Sequence, residues 1–75
     1  MAWKRIQTDW VHDSLPYVIE WRFDEDAPWE SERIDLYKIR YAEAGSRSDV
    51  LAVRFTFKAA IRYARERWLF LDVRN

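Results

Sequence analysis

The stretch TFKAAIRYARERW, residues 56–68, decides how the rest of the chain is interpreted. Its apolar side chains recur at the helical spacings i, i+3, i+4, i+7 and i+11, at Phe57, Ala60, Ile61, Ala64 and Trp68. Thr56 precedes them as an N-cap, since its side-chain oxygen can accept a bond from a free N–H of the first turn. Arginines crowd the last turns, where the helix dipole favours cations. The stretch predicts an amphipathic helix after Thr56.

Upstream of this helix, the clearest strand pattern lies at residues 17–23. Large apolar side chains alternate there with a face that carries Glu20, which is the period of a half-buried strand. The N-terminal residues 3–10 are ambiguous, because their apolar positions suit both a short helix and a strand. We expect an extended segment or a single turn there.

Three later segments also predict strands. In residues 34–41 the apolar side chains change from one face of the predicted strand to the other. A bulge or a strong twist near Leu36 would account for this change. Residues 50–55 form the next strand, in a hairpin with the one before. The apolar side expected for that strand consists of Leu51, Val53 and Phe55. Residues 68–73 are apolar on both faces, which favours a strand paired inside the sheet.

These elements predict a single α+β domain spanning residues 1–75. The order along the chain is β-β-β-α-β, with one helix packed on one face of a small, mostly antiparallel sheet. Small domains often need disulfides or a metal, but this chain has no cysteine. Aromatic residues make up 17% of it, so we expect their burial to stabilise the core instead.

The composition argues against most kinds of catalytic or metal site. The chain has no cysteine, one histidine and one glycine, so zinc sites and phosphate-binding glycine loops are not expected. We predict no metal and no cofactor. His12, Asp13 and Ser14 include the residue types of a catalytic triad, but adjacent side chains diverge. We interpret them as a solvated turn in which Asp13 or Ser14 bonds the backbone, and Glu20 as a solvent-facing charge paired across strands.

Charge is balanced overall, with 13 basic and 13 acidic residues, but it is separated along the chain. Residues 24–35 contain six acids and one base, a formal charge of −5. A tryptophan amid acids and next to a proline is a plausible interface anchor, since interfaces are enriched in Trp. The predicted partner-binding residues are Asp24, Glu25, Asp26, Trp29, Glu30 and Glu32. The alternative is that Trp29 folds back as a lid on the core.

The helical region 54–67 carries five bases and one acid, a formal charge of +4. Lys58, Arg62 and Arg65 lie at i, i+4 and i+7, so they share one outward stripe. A solvated helix face explains this stripe without any function. The alternative is docking of an acidic partner or a phosphate backbone, with Tyr63 alongside for stacking or hydrogen bonding.

Our leading hypothesis is a non-enzymatic protein-binding module, acting as an inhibitor, adaptor or subunit that occludes a larger protein or complex. Such small open reading frames are common in phages and mobile elements, and the partner could itself handle nucleic acid. A second hypothesis is weak, direct nucleic-acid binding through the helix. A third is a small enzyme that uses Glu20, His12 or a tyrosine. Homodimerisation through a sheet edge is a further hypothesis. Without a signal peptide or membrane span in the sequence, we expect a cytoplasmic location and no membrane partner.

Overall fold

A computed structural model describes residues 2–23, 35–43 and 49–73. Within these residues, five strands form one antiparallel sheet whose spatial order follows their order along the chain. A helix follows the last strand and packs against the fourth and fifth. The elements are β1 (Trp3–Ile6), β2 (Asp9–His12), β3 (Tyr17–Phe23), β4 (Asp35–Tyr41), β5 (Ala52–Arg54) and α1 (Phe57–Arg67). The expected α+β architecture is therefore present.

The strand register determines which side chains face the helix. One row of directly opposed residues crosses β2 to β5 and consists of Trp10, Ile19, Ile39 and Ala52. Ile19 and Ile39 are fully buried in this row, and Ala60 and Ala64 of α1 are fully buried in the same core. Small side chains on both elements let the helix approach the sheet closely. Only one face of the sheet is covered by α1.

Helix α1 begins where the sequence predicts. The backbone of Thr56 is extended, and its Oγ1 accepts a hydrogen bond of 3.1 Å from the N–H of Ala59. The ring of Phe57 packs 4.4 Å from that of Trp10, measured between centroids, which fixes the first turn on the sheet. The cap and this aromatic contact thus position the same end of the helix.

The predicted order β-β-β-α-β is wrong at both ends of the chain. Residues 68–73 are not a strand, because α1 continues directly into a π-helical turn, Trp68–Asp72. The N-terminus forms a hairpin of β1 and β2, so the order is β-β-β-β-β-α. The hairpin turn contains Gln7 in the left-handed region, with φ of 58°. A non-glycine residue rarely adopts this conformation, which is why the turn is hard to recognise.

The strand predictions for residues 34–41 and 50–55 need smaller corrections. The register of β3 with β4 is regular from Phe23 opposite Asp35 to Tyr17 opposite Tyr41, so this stretch contains no bulge near Leu36. The predicted hairpin of β4 with β5 is present.

Of the apolar side expected for β5, Leu51 packs against the core, but Val53 and Phe55 do not face the helix. Ala52 lies opposite the buried Ile39, whereas Val53 and Phe55 are 38% and 64% exposed. Packing close to a helix favours the smaller alanine over the larger apolar side chains on the other face.

The N-cap gives a direct test of this fold. Replacing Thr56 with Ala should lower the free energy of unfolding by about 1 kcal/mol, because the N–H of Ala59 loses its acceptor. Urea denaturation followed by circular dichroism measures the change. Thr56→Ser keeps the hydroxyl and should restore most of the loss; equal destabilisation by both substitutions would contradict the capping role.

Candidate functional site

The end of the π-helical turn is attached to the sheet by a partly buried carboxylate. The hydroxyl of Tyr17 donates a short hydrogen bond to Oδ2 of Asp72, and the hydroxyl of Tyr41 donates to both Asp72 oxygens at 2.9 and 3.1 Å. Tyr17 is fully buried, and the Asp72 side chain is 15% exposed. Burial, and next the bond to Asp72, raises the pKa of the Tyr17 hydroxyl well above its usual range.

Arg67, the last residue of α1, completes this cluster. Its Nη1 donates to the hydroxyl of Tyr63 at 3.0 Å and its Nη2 to that of Tyr41 at 3.2 Å, while Nε lies 3.5 Å from Oδ2 of Asp72. The hydrogen bond to Tyr41 is the main reason that the pKa of Arg67 is raised above the ordinary, already high, value of an arginine. The positive guanidinium thus offsets the charge of the partly buried carboxylate, which would otherwise be costly to desolvate.

This attachment leaves several apolar side chains of the C-terminal segment in solvent. Trp68 packs against the core, and Asp72, four residues later, also faces the sheet. The intervening Leu69 and Phe70 are 53% and 65% exposed, and Val73 is 49% exposed. Apolar side chains grouped in this way are typical of interaction surfaces rather than of a solvated helix end.

The predicted basic stripe runs directly into these apolar residues. Lys58, Arg62 and Arg65 are all exposed on α1, and the Arg62 side chain is 80% exposed while pairing with Glu66 at 3.0 Å. Leu69 follows at i+11 from Lys58, so it continues the same side of the helix. We call the surface formed by Lys58, Arg62, Arg65, Leu69 and Phe70 the outer helix surface.

Two adjoining grooves flank the outer helix surface. One, of about 300 Å³, is lined by Arg54, Ala59, Arg62, Tyr63 and Glu66. The other, of about 210 Å³, is lined by Tyr63, Glu66, Arg67, Phe70 and Leu71. Both grooves are lined by Tyr63 and Glu66, so they are neighbours along α1; Arg54 and Arg62 line the first, and Phe70 and Leu71 line the second.

Tyr63, suggested as a stacking or hydrogen-bonding residue beside the stripe, makes its contacts within the chain in this structure. Its hydroxyl accepts from Arg67 and lies 3.4 Å from the carbonyl oxygen of Leu51, to which it can donate. The guanidinium of Arg54 covers its ring, 4.8 Å from the centroid. Its ring and hydroxyl are therefore already engaged within the chain.

On the face of the sheet away from α1, Glu20 departs from the sequence interpretation. It is buried, at 9% exposure, rather than solvent-facing. It forms ion pairs with Arg40 of β4 and, at 3.1 Å, with Arg22. The register places Asp9 directly opposite Glu20, and Arg22 bridges the two carboxylates, lying 3.4 Å from Asp9. Long arginine side chains cover Glu20, so the pairing expected across strands is present but buried.

His12 also has a structural role. Its Nδ1 accepts hydrogen bonds from the N–H groups of Ser14 and Leu15, at 3.0 and 2.9 Å, and its ring packs edge-to-face on Trp3. The expected turn is there, but the side chain that bonds its backbone is His12 rather than Asp13 or Ser14. The hydroxyl of Ser14 lies 3.4 Å from the same Nδ1, whose lone pair already accepts from the two N–H groups.

The structure separates two of the groups named in the enzyme hypothesis. His12 shares the helix-facing side of the sheet, whereas Glu20 lies on the opposite side. A pocket of about 230 Å³ is lined by both Glu20 and Tyr41. The Tyr41 hydroxyl, however, is bonded to Asp72 on the helix side. The Glu20 carboxylate and the Tyr41 hydroxyl thus line one pocket, but each has its polar partners on a different face of the sheet.

All six predicted partner-binding residues of the acidic segment lie outside the described residues, so that surface stays a prediction. Conversely, the sequence interpretation missed the cluster around Asp72. A lone carboxylate in the apolar run WLFLDV was the available signal, because a buried charge needs hydrogen-bond donors from elsewhere in the chain.

Comparison of the chain with protein-family models, curated proteins and solved structures finds no match. Among the described residues, no group of three or more His, Cys, Asp or Glu side chains is placed to hold a metal ion. In this same part of the chain, no helix has both the length and the apolar character needed to cross a membrane. The function therefore has to be inferred from the chain's own surfaces.

The buried Tyr17 hydroxyl makes stability sensitive to alkaline pH. An unfolded tyrosine ionises near pH 10, whereas folding raises the pKa of Tyr17. Its contribution is therefore fully present below about pH 10 and is lost as the pH rises toward the folded pKa. The difference in unfolding free energy between wild type and Tyr17→Phe should shrink between about pH 10 and 12, as measured by urea denaturation at each pH. A difference that stays constant over this range would contradict the assignment.

Proposed function

We propose that this protein is a non-enzymatic module that binds a larger protein through the outer helix surface, as an inhibitor, adaptor or subunit. The observation that carries the proposal is the continuity of exposed bases with exposed apolar side chains along one side of α1. Apolar residues supply binding energy when they are buried by a partner. Neighbouring charges orient the encounter and select the partner.

The apolar end distinguishes protein binding from the nucleic-acid alternative. Lys58, Arg62 and Arg65 alone would suit a phosphate backbone equally well. Leu69 and Phe70 would gain little from phosphates, which contact cations and polar groups. A protein surface, in contrast, uses both halves of the outer helix surface. The groove of about 210 Å³ beside it, which Phe70 lines, offers a partner side chain a place to insert.

The proposal predicts that the apolar end is required for partner capture. The tagged protein and its Leu69→Ser, Phe70→Ser variant are used as baits in lysate of the source cell, and captured proteins are quantified by mass spectrometry. The variant should lose most of the partner captured by wild type, because burial of both side chains is lost. Circular dichroism confirms that the variant is folded.

The control for this experiment is Phe55→Ser, which removes an aromatic ring of similar exposure, 64%, outside the outer helix surface. It should capture the partner as wild type does. Equal losses for the two variants, or none for either, would contradict binding through this surface.

The acidic segment can be tested in the same assay as an independent prediction. If Trp29 anchors a partner, Trp29→Ala combined with Glu30→Lys should remove a captured protein, since hot-spot residues dominate binding energy. An unchanged set of captured proteins would assign no docking role to this segment and leave the outer helix surface as the sole proposed site.

A further inference from the structure

We infer that the segment recognised by the outer helix surface is an acidic amphipathic helix of the partner protein. This inference rests on the proposed function and specifies the chemistry of the partner. Lys58, Arg62, Arg65 and Leu69 recur at i, i+4, i+7 and i+11, the spacing of one continuous side of a helix. An elongated occupant that lies beside α1 therefore contacts all four.

A helix is the occupant whose side chains match this spacing. The backbone donors and acceptors along α1 are used within the helix itself, so a partner cannot add by strand pairing as it would at a sheet edge. Contacts must be made through side chains, and the ridges of one helix fit into the grooves of another. The distance from Lys58 to Leu69 is about 16 Å at 1.5 Å per residue, which a partner helix of about 12 residues spans.

The positive charges on the outer helix surface favour a partner segment with negative charges. Within the described residues, Lys58 and Arg65 make no ion pair, and Arg62 makes only the exposed pair with Glu66. Such an exposed pair holds its arginine weakly, so Arg62 can exchange Glu66 for a carboxylate of the partner. A partner helix with acids facing these three bases and apolar residues facing Leu69 and Phe70 satisfies both halves of the surface.

Selection from a displayed library of helical peptides about 18 residues long tests this inference. One face of the peptides is randomised among Glu, Lys, Leu and Ser, and the bait is the full chain. Wild type should enrich peptides with Glu toward one end of the face and Leu toward the other, about tenfold over the input library. The Arg62→Glu, Arg65→Glu bait should reverse the charge preference from Glu to Lys. The Leu69→Ser, Phe70→Ser bait should lose the preference for Leu.

Two outcomes would overturn the inference: no enrichment by wild type, or the same charge preference with the charge-reversed bait. Either outcome could occur while Leu69→Ser, Phe70→Ser still abolished partner capture from lysate. In that case the proposed protein-binding role would be retained, and only the acidic-helix partner would be rejected. A parallel measurement uses duplex DNA. Tight binding that is insensitive to Leu69→Ser, Phe70→Ser but lost on charge reversal would identify phosphate as the ligand and overturn both proposals.

Discussion

The carboxylate of Asp72 is partly buried and needs hydrogen-bond donors inside the protein, and this requirement determines the conformation of residues 68–73. Tyr17 of β3 and Tyr41 of β4 supply those donors from adjacent, directly opposed positions. A separation of four residues puts Trp68 and Asp72 on the same side of a helical turn. The sheet offers an apolar surface for the ring and two hydroxyls for the carboxylate. A helical conformation of residues 68–72 therefore lets Trp68 pack on the sheet while Asp72 accepts its hydrogen bonds.

The side chains of the π-helical turn that face the sheet determine which of its other side chains face solvent. Once Trp68 and Asp72 face the sheet, Leu69 and Phe70 are left in solvent and extend the line of bases on α1. The opposite face of the sheet differs, because Glu20 and Arg22 are already paired there. The outer helix surface combines exposed apolar side chains with exposed charges, a combination that binding surfaces use.

The sequence predicted α1 and β3 accurately because both have a strong period and clear boundaries. It failed at residues 68–73, since a short apolar run suits a strand and a buried helix equally well. It left the N-terminal hairpin unresolved because the turn at Gln7 and Thr8 contains none of the Gly, Asn or Asp residues that usually mark such turns. The side chain of Arg5 supports that turn by donating to the Gln7 carbonyl at 2.9 Å, a contact that no local pattern reveals.

The candidate site was predictable only in part, for the same reason. Lys58, Arg62 and Arg65 could be placed on one stripe from spacing alone. Their continuation into Leu69 and Phe70 was hidden by the strand interpretation, which assigned both residues to the interior of a sheet. Whether residues 68–73 form a strand or a helical turn depends on tertiary contacts to Tyr17 and Tyr41. Both residues are more than 30 positions away from Asp72 in sequence.

The most direct test of this account is an NMR measurement of backbone chemical shifts and nuclear Overhauser effects for residues 68–73. We predict helical Cα shifts through this segment, together with contacts from the rings of Tyr17 and Tyr41 to the β protons of Asp72. Extended-chain shifts in the segment, with cross-strand contacts between its backbone and a neighbouring strand, would contradict the account.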